Sequence, residues 1–252
     1  MLPARSLDNR ARSRHVPPMD FSPPLIPATL LRRYKRFLAD CTLADGTEVT
    51  AHCANPGSMM GLAEPGSRIW LEPNDDPKKK LKYGWRLVEH GDGHFTGVDT
   101  ALPNRMLKAA LTERRIPEVA AYPDLQAEVR YGEKSRVDFR LSGDGLPPLW
   151  LEVKSVTLSR VAGVAEFPDS VTQRGARHMA DLAAMARQGD RAVIFYLVQR
   201  TDAQEVRLAA DIDPTYAQAV SDAVAAGVEV IAYDTRLSPQ SVALGRRLPV
   251  IL

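Results

Sequence analysis

Two carboxylates and a lysine are spaced along the chain in a way that suits metal-dependent phosphodiester chemistry. Asp138 lies in a short apolar run, Val137–Leu141, while Glu152 and Lys154 lie at the end of a second run, Leu149–Val153. Mg²⁺ and Mn²⁺ take oxygen ligands from one or two carboxylates, together with water and substrate phosphate. A nearby lysine can orient the attacking water or neutralise charge that develops on the phosphate. We therefore predict a catalytic site in which Asp138 and Glu152 hold Mg²⁺ or Mn²⁺.

The elements that must position these residues are predicted to be the two strands of a β-hairpin. The segment between them, Ser142–Pro148, is rich in Gly and Pro, which is typical of a turn. Because side chains alternate along a strand, Glu152 and Lys154 share one face. Charges within an apolar strand are unfavourable unless they are paired or bound to a metal. The alternative is a solvated hairpin with salt bridges, since charges of alternating sign are common on exposed strands.

Composition sets the broad class of protein. The 252 residues are 44% hydrophobic and carry a net charge of +2, which gives no global argument for a nucleic-acid partner. The two cysteines, Cys41 and Cys53, are too few for a disulfide framework or a four-ligand zinc site, so a cytoplasmic location is predicted. No apolar run reaches the roughly 18 residues that span a bilayer, so no membrane association is expected.

The N-terminal third predicts a basic tail and a small β-barrel. Residues 1–24 are expected to form a disordered basic tail, with Met19 as a possible true start, and residues 25–90 contain short strands separated by turns. Two basic runs bracket the predicted barrel, and each interleaves an aromatic residue with its charges, as in proteins that bind single strands. The runs are Arg32, Arg33, Lys35 and Arg36, and Lys78, Lys79, Lys80 and Lys82. Two solvated faces would explain the same pattern.

Residues 91–252 predict an α/β domain with a mixed central sheet. Amphipathic patterns indicate helices over Asn104–Arg115, Ser170–Gln188 and Tyr216–Ala226. Continuous apolar runs at Ala192–Val198 and Val228–Tyr233 are typical of buried strands. This alternation of helices and strands favours helices packed on a central sheet.

Five segments, in order, resemble the sugar fermentation stimulation protein (SfsA) family. They are AHCANPGSMMGL (Ala51–Leu62), LPNRM (Leu102–Met106), SRVDF (Ser135–Phe139), LEVKSVTL (Leu151–Leu158) and FPDSVTQRGARHMADL (Phe167–Leu182). The resemblance implies an N-terminal OB-fold barrel followed by a PD-(D/E)xK restriction-endonuclease-like domain. The nuclease signature falls on Asp138, Glu152 and Lys154, with Val137 in place of the proline. The family is described as DNA-binding and linked to regulation of sugar use, and its nuclease activity is inferred more than established.

Further site residues are predicted around this signature. Nucleases of this type often add a carboxylate from the first core helix, for which Glu113 is favoured over Glu118 as a metal ligand. Arg174 and His178 lie four apart at a helix start, where they and the helix dipole can hold a phosphate.

Four other polar positions have simpler interpretations. Asn55 and Ser58 belong to a tight polar loop that is a candidate for nucleic-acid contact, although a structural role is the alternative. His90 and His94 flank a Gly-rich stretch that is interpreted as a flexible linker between the domains, with metal binding as the alternative.

Two functions follow from these predictions. The first is a Mg²⁺- or Mn²⁺-dependent nuclease that cleaves DNA. The second is a DNA-binding regulator that keeps a nuclease-like fold without cleaving. Single-stranded DNA, double-stranded DNA and RNA all stay open as partners, and a dimer is compatible with the sequence.

Overall fold

The computed structural model describes residues 18–131 and 135–252. Most of the predicted basic tail therefore lies outside the described residues. The predicted tail ends too late, because strand β1 (Met19–Asp20) pairs antiparallel with a strand near the C-terminus, Met19 opposite Val242. Met19 also packs against the largest hydrophobic cluster of the sheet domain, so residues from 18 onward belong to the fold.

The N-terminal domain is the predicted barrel. Its strands are β2 (Ile26–Tyr34), β3 (Leu38–Leu43), β4 (Glu48–Cys53), β5 (Arg68–Pro73), β6 (Tyr83–Glu89) and β7 (Phe95–Gly97). Strands β2 to β6 close into a five-stranded barrel, because β4 pairs in parallel with β6 at His52 and Gly84, and β7 extends the sheet beside β6. Alternate residues of these strands fill its interior, including the fully buried Leu30, Leu71 and Trp85.

Two details of the barrel differ from the predictions. The segment Tyr34–Leu43 precedes the turn residues Asp45 and Gly46, and its pattern predicts one strand of a hairpin. In the structure it is divided between β2 and β3 by a turn at Lys35 and Arg36, whose φ angles are 48° and 64°. The stretch from His90 to His94 is not a linker but the turn of the β6–β7 hairpin, closed by a hydrogen bond from His90 N to His94 O. The barrel sheet therefore continues through β7, beyond the predicted boundary at residue 90.

The second domain contains three α-helices, a short 3₁₀ helix and ten strands of its own among the described residues. In chain order these are α1 (Leu102–Thr112), the 3₁₀ helix (Pro117–Val119), β8 (Asp124–Tyr131), β9 (Ser135–Ser142), β10 (Leu149–Val156), β11 (Leu158–Val161), β12 (Val164–Phe167), α2 (Gln173–Arg187), β13 (Arg191–Val198), β14 (Glu205–Leu208), α3 (Pro214–Ala225), β15 (Glu229–Leu237), β16 (Ser241–Arg247) and β17 (Val250–Ile251).

The predicted mixed central sheet is confirmed. Its seven strands lie in the order β1-β16-β15-β13-β10-β9-β8, with β10, β13 and β15 parallel and the others antiparallel. Helix α1 packs on one face of this sheet, and α2 and α3 pack on the other. A second small sheet, β11-β12-β14-β17, was not predicted, because its strands have only two to four residues each. No helix among the described residues is long and apolar enough to cross a bilayer.

Candidate metal centre

Asp138 lies where strands β9 and β10 stop pairing. The antiparallel ladder ends at the pair Leu151 and Phe139, and the next free N–H on β10, that of Val153, donates to Asp138 Oδ2 at 2.7 Å. Asn104 in the first turn of α1 donates from Nδ2 to Asp138 Oδ1 at 2.8 Å. The carboxylate therefore lies in the gap between the two strands, and one donor from each side fixes its orientation.

Glu152 faces the same gap from β10. Its side chain is almost fully buried, and its Oε1 atom accepts hydrogen bonds from Lys154 Nζ at 2.8 Å and from His178 Nδ1. As the alternation along the strand predicts, Glu152 and Lys154 share one face. The other carboxylate oxygen, Oε2, is buried without a hydrogen-bond partner among the described residues. A buried carboxylate oxygen without a partner is unfavourable, and a cation or water would satisfy it.

His178 reaches Glu152 from helix α2. That helix begins after Thr172, whose hydroxyl accepts from Gly175 N at 3.0 Å, and this cap sets the helix start behind β10. Arg174 donates from Nε to His178 Nε2 at 3.3 Å, so Nε2 is an acceptor and the ring proton lies on Nδ1. His178 thereby donates to Glu152, and it is buried. Both ring nitrogens of His178 are therefore engaged within the protein, and the prediction that His178 contacts a phosphate was wrong. Arg174 is exposed, so its phosphate contact stays a prediction.

The two carboxylates have opposite electrostatic settings. Burial and the neighbouring charge of Glu152 raise the pKa of Asp138, against the opposing effect of its two hydrogen bonds. Burial also opposes ionisation of Glu152, but the hydrogen bond from His178 and the charge of Lys154 outweigh it and lower the pKa of Glu152. The ionised pair therefore leaves negative charge in a poorly solvated place, which favours a bound cation.

The residues fit a Mg²⁺ or Mn²⁺ ion held by few protein ligands. Asp138 and Glu152 would supply carboxylate oxygens, and within residues 18–131 and 135–252 no group competes for Glu152 Oε2. In the described part of the chain, no three His, Cys, Asp or Glu side chains converge on a metal position. Two carboxylates with water and phosphate completing the shell are typical of Mg²⁺, whereas zinc requires a fuller protein set.

Glu113 does not join this centre. Glu113 lies at the C-terminal end of α1, where it accepts a hydrogen bond from Arg115 Nε at 3.1 Å. At a rise of ~1.5 Å per residue, this position is about 14 Å along the helix axis from Asn104. The other candidate, Glu118, instead accepts from the Tyr233 hydroxyl at 3.0 Å. Helix α1 thus contributes the side-chain amide of Asn104 to the site. Asn104 was not predicted, because only carboxylates were considered as site residues of this helix.

Two other polar groups near the centre were also missed. The Tyr131 hydroxyl and Asp181 Oδ2 are buried, and neither has a hydrogen-bond partner in the described part of the chain. Burial and the charge of Glu152 raise the pKa of Tyr131, which keeps this hydroxyl protonated. Neither residue carries a sequence signal that separates it from ordinary core or helix positions.

Several predicted nucleic-acid contacts have structural roles instead. The Arg33 guanidinium donates to the carbonyls of Arg36, Asn55 and Gly57 at 2.9 to 3.0 Å. Asn55 is buried and accepts from Gly57 N at 2.8 Å.

Ser58 joins the same loop to the second domain. Its hydroxyl donates to the backbone oxygen of Asp169 at 2.9 Å. The contacts of Arg33 and Asn55 therefore stabilise this barrel loop, and the contact of Ser58 stabilises the junction between the domains.

The remaining basic residues lie on the barrel surface. Arg32 pairs with Asp40 at 2.9 Å and lies over the Tyr34 ring, and Lys82 donates to the carbonyl of Asp76 at 3.0 Å. The others are exposed: Lys35, Arg36, Lys78, Lys79 and Lys80. Lys79 and Lys80 line a surface groove of about 880 Å³ on the barrel, together with His52, Tyr83 and Arg86.

The architecture defines a two-domain protein in which an OB barrel precedes a mixed-sheet domain. Residues 31–98 match the family model "SfsA N-terminal OB domain", and residues 101–241 match "Sugar fermentation stimulation protein RE domain". The chain belongs to the sugar fermentation stimulation protein family.

Relatives share most of the chain. A sugar fermentation stimulation protein homolog of Ruegeria sp. (strain TM1040) is 66% identical over 92% of this chain and 100% of its own length. The homolog of Agrobacterium fabrum is 48% identical over 90% of this chain and 94% of its own length. The solved structure of Pyrococcus furiosus SfsA in complex with Ca²⁺ is similar with a TM-score of 0.83 and 26% identity, covering 93% of this chain and 98% of that chain.

Proposed function

We propose that the protein is a divalent-metal-dependent nuclease that cleaves phosphodiester bonds of DNA. The observation that carries the proposal is the convergence of Asp138, Glu152 and Lys154 at the end of β9 and β10 where the two strands separate. There, Glu152 Oε2 is buried and has no partner in the part of the chain that the structure describes. Such a constellation of two carboxylates and an ammonium matches the chemistry of phosphoryl transfer. The similar Pyrococcus furiosus protein was solved in complex with Ca²⁺, which supports the proposal that this chain also binds a divalent cation.

Each residue has a distinct role in the proposal. Asp138 and Glu152 would hold the cation, which when bound polarises a phosphoryl oxygen and lowers the pKa of water. Lys154 orients the attacking water and stabilises negative charge on the phosphate, since its ammonium already lies against Glu152 at 2.8 Å. Asn104 and His178 hold the two carboxylates in place through their hydrogen bonds. The basic groove of the barrel binds the nucleic-acid backbone.

A second candidate function is DNA binding without cleavage. The observation that favours it is that Lys154 and His178 both donate to Glu152 Oε1, so the carboxylate is already compensated by protein groups. A regulator could keep this cluster as a buried ion pair that supports the fold.

Cleavage assays separate the two candidates. Wild type is incubated with plasmid DNA, linear duplex and a single-stranded oligonucleotide in Mg²⁺, Mn²⁺ or EDTA, and products are resolved on gels. The nuclease proposal expects cleavage that requires the cation and falls at least a hundredfold in the Glu152→Ala, Lys154→Ala double variant. A Glu229→Ala, Lys108→Ala variant carries the same charge changes away from the site and should cleave like wild type.

Each result has a clear meaning. Absence of cation-dependent cleavage by wild type on all three substrates, with DNA binding retained, supports the regulator. Equal cleavage by wild type and the Glu152, Lys154 double variant refutes the residue assignment.

A further inference from the structure

An exposed pair of parallel rings lies on the surface of the barrel. Phe37, at the β2–β3 turn, is 45% exposed, and its ring is inclined by only 5° to the ring of His52, with centroids 6.4 Å apart. His52 is exposed, while the next residue on β4, Cys53, is buried in the barrel core. Exposed aromatic rings lose the free energy that burial would give them, so such a pair suggests a ligand with flat apolar faces.

The space beside the pair is open. His52 lines the groove of about 880 Å³, and its cross-strand partner on β6 is Gly84, which has no side chain to fill the groove. A β-carbon at Gly84 would lie 3.5 Å from the Arg86 guanidinium, in ordinary contact with it. Tyr83 lines the same groove and supplies a further ring. The groove therefore has room for planar groups next to His52.

The charges around the pair favour an anion. Lys79 and Lys80 line the groove, and Lys35 and Arg36 directly precede Phe37. Of the two acidic residues in the groove, Glu72 accepts from Arg86 Nε at 2.7 Å, which leaves Asp75 as the opposing charge. Positive side chains that surround exposed rings are the combination by which proteins hold an anionic backbone and stack its bases.

We propose that Phe37 and His52 form a stacking site for unpaired bases of a single-stranded nucleic acid whose phosphates follow the lysines of the groove. This inference rests on the proposed function, since it takes nucleic acid as the substrate class. Bases of a duplex are stacked and paired, so their faces are not available to the rings. The barrel thus selects single strands or unpaired ends for the sheet domain.

Fluorescence anisotropy tests the site directly. Labelled dT15, rU15 and a 20-base-pair duplex are titrated with wild type, Phe37→Ala and His52→Ala in EDTA, so that cleavage cannot contribute. Loss of one stacking ring is expected to weaken single-strand binding about tenfold. Duplex binding should change less than twofold, because it depends on phosphate contacts alone.

Three further variants separate stacking from general effects of mutation. Leu31→Ala removes a comparably exposed apolar side chain from the same barrel and should bind like wild type. Phe37→Leu keeps apolar bulk without a ring and should bind as weakly as Phe37→Ala, whereas Phe37→Tyr should restore binding. Thermal melting of each variant verifies that it is folded.

The outcomes distinguish this site from the nuclease proposal. Binding of both single strands that depends on Phe37 supports the site, and dependence for rU15 alone assigns RNA as its ligand. Equal effects on single strands and duplex, or no effect of Phe37→Ala, refute the site even if wild type cleaves DNA. Conversely, a Phe37-dependent single-strand affinity stands if cation-dependent cleavage is absent, in which case only the nuclease proposal fails.

Discussion

The side chain of Asp138 lies in a poorly solvated position next to Glu152, where its negative charge is unfavourable. Burial and the nearby Glu152 raise the pKa of Asp138, although Val153 N and Asn104 Nδ2 donate to it. The folded protein therefore holds this proton more tightly than the unfolded chain does. The free energy of unfolding falls as pH rises from the ordinary pKa of 3.8 through the raised value, and at neutral pH the charge destabilises the fold.

Asp138→Asn is expected to stabilise the protein in the absence of divalent cations. The substitution removes the buried charge and keeps the shape and an acceptor for Val153 N, and the Asn104 amide can rotate so that its oxygen accepts from the new NH₂ group. We therefore expect a melting temperature about 2 to 4 °C higher at pH 7, or ~1 kcal/mol. Wild type should gain stability from added Ca²⁺ and the variant should not. Calorimetry at pH 7 with EDTA or Ca²⁺ measures both effects. Asp124→Asn on the exposed part of β8 is the control, and a lower melting temperature for Asp138→Asn in EDTA would contradict the argument.

Among the elements, the strands of the site could be predicted and the helix contacts could not. The apolar runs and the Gly- and Pro-rich turn predicted the β9–β10 hairpin, and strand alternation placed Glu152 beside Lys154. The contact between Glu152 and His178 joins residues 26 positions apart and depends on how α2 packs across the sheet. Local periodicity specifies which face of α2 is apolar but not the residue that it faces, so His178 was predicted to bind phosphate.

The turn between β2 and β3 was not predicted, for a different reason. Lys35 and Arg36 adopt positive φ angles, which are uncommon for residues other than Gly, Asn and Asp. No residue type there marks a turn, so the run from Tyr34 to Leu43 was predicted as one strand. Phe37 lies in this turn. Because the turn was not predicted, the exposure of Phe37 beside His52 was not predicted either.

If Glu152 holds a cation, helix α2 should contribute to its binding through His178. In His178→Gln the amide nitrogen takes the place of the ring Nε2 and not of Nδ1, which donates to Glu152, so the carboxylate loses one of its two hydrogen-bond donors and its fixed orientation. Partners of this kind typically change metal affinity by 10- to 100-fold, and we expect Ca²⁺ to bind about tenfold more weakly. Isothermal titration calorimetry with Ca²⁺ measures this without any cleavage. His94→Gln, at the exposed β6–β7 turn, should leave the affinity unchanged, and an unaltered affinity in His178→Gln would exclude this role for α2.

In the whole molecule, the barrel and the sheet domain are joined by specific polar contacts. Thr100 donates to the carbonyl of Ala54 at 3.1 Å, and Gln199 donates to the carbonyl of Asp99 at 3.2 Å. Asp99 itself is buried and pairs with Arg86 on β6 at 3.0 Å. Because these contacts fix the barrel against the domain that contains Asp138 and Glu152, nucleic acid bound in the barrel groove would be held in a fixed position relative to the candidate metal centre.

The net charge of +2 gives the molecule no strong overall field, so the proposed nucleic-acid binding would depend on local clusters of positive charge. Each phosphate contact of a single strand contributes about 0.7 to the slope of log K against log salt concentration. If Lys78, Lys79 and Lys80 contact phosphates, changing all three to Ala should flatten that slope by about 2 for dT15, measured by anisotropy between roughly 50 and 200 mM salt. The control removes three positive charges elsewhere, from Lys108, Arg207 and Arg246, and should keep the wild-type slope. If both triple variants flatten the slope equally, the attraction is diffuse and the lysine run is only a solvated face; if the first alone does so, the groove is the path of the backbone.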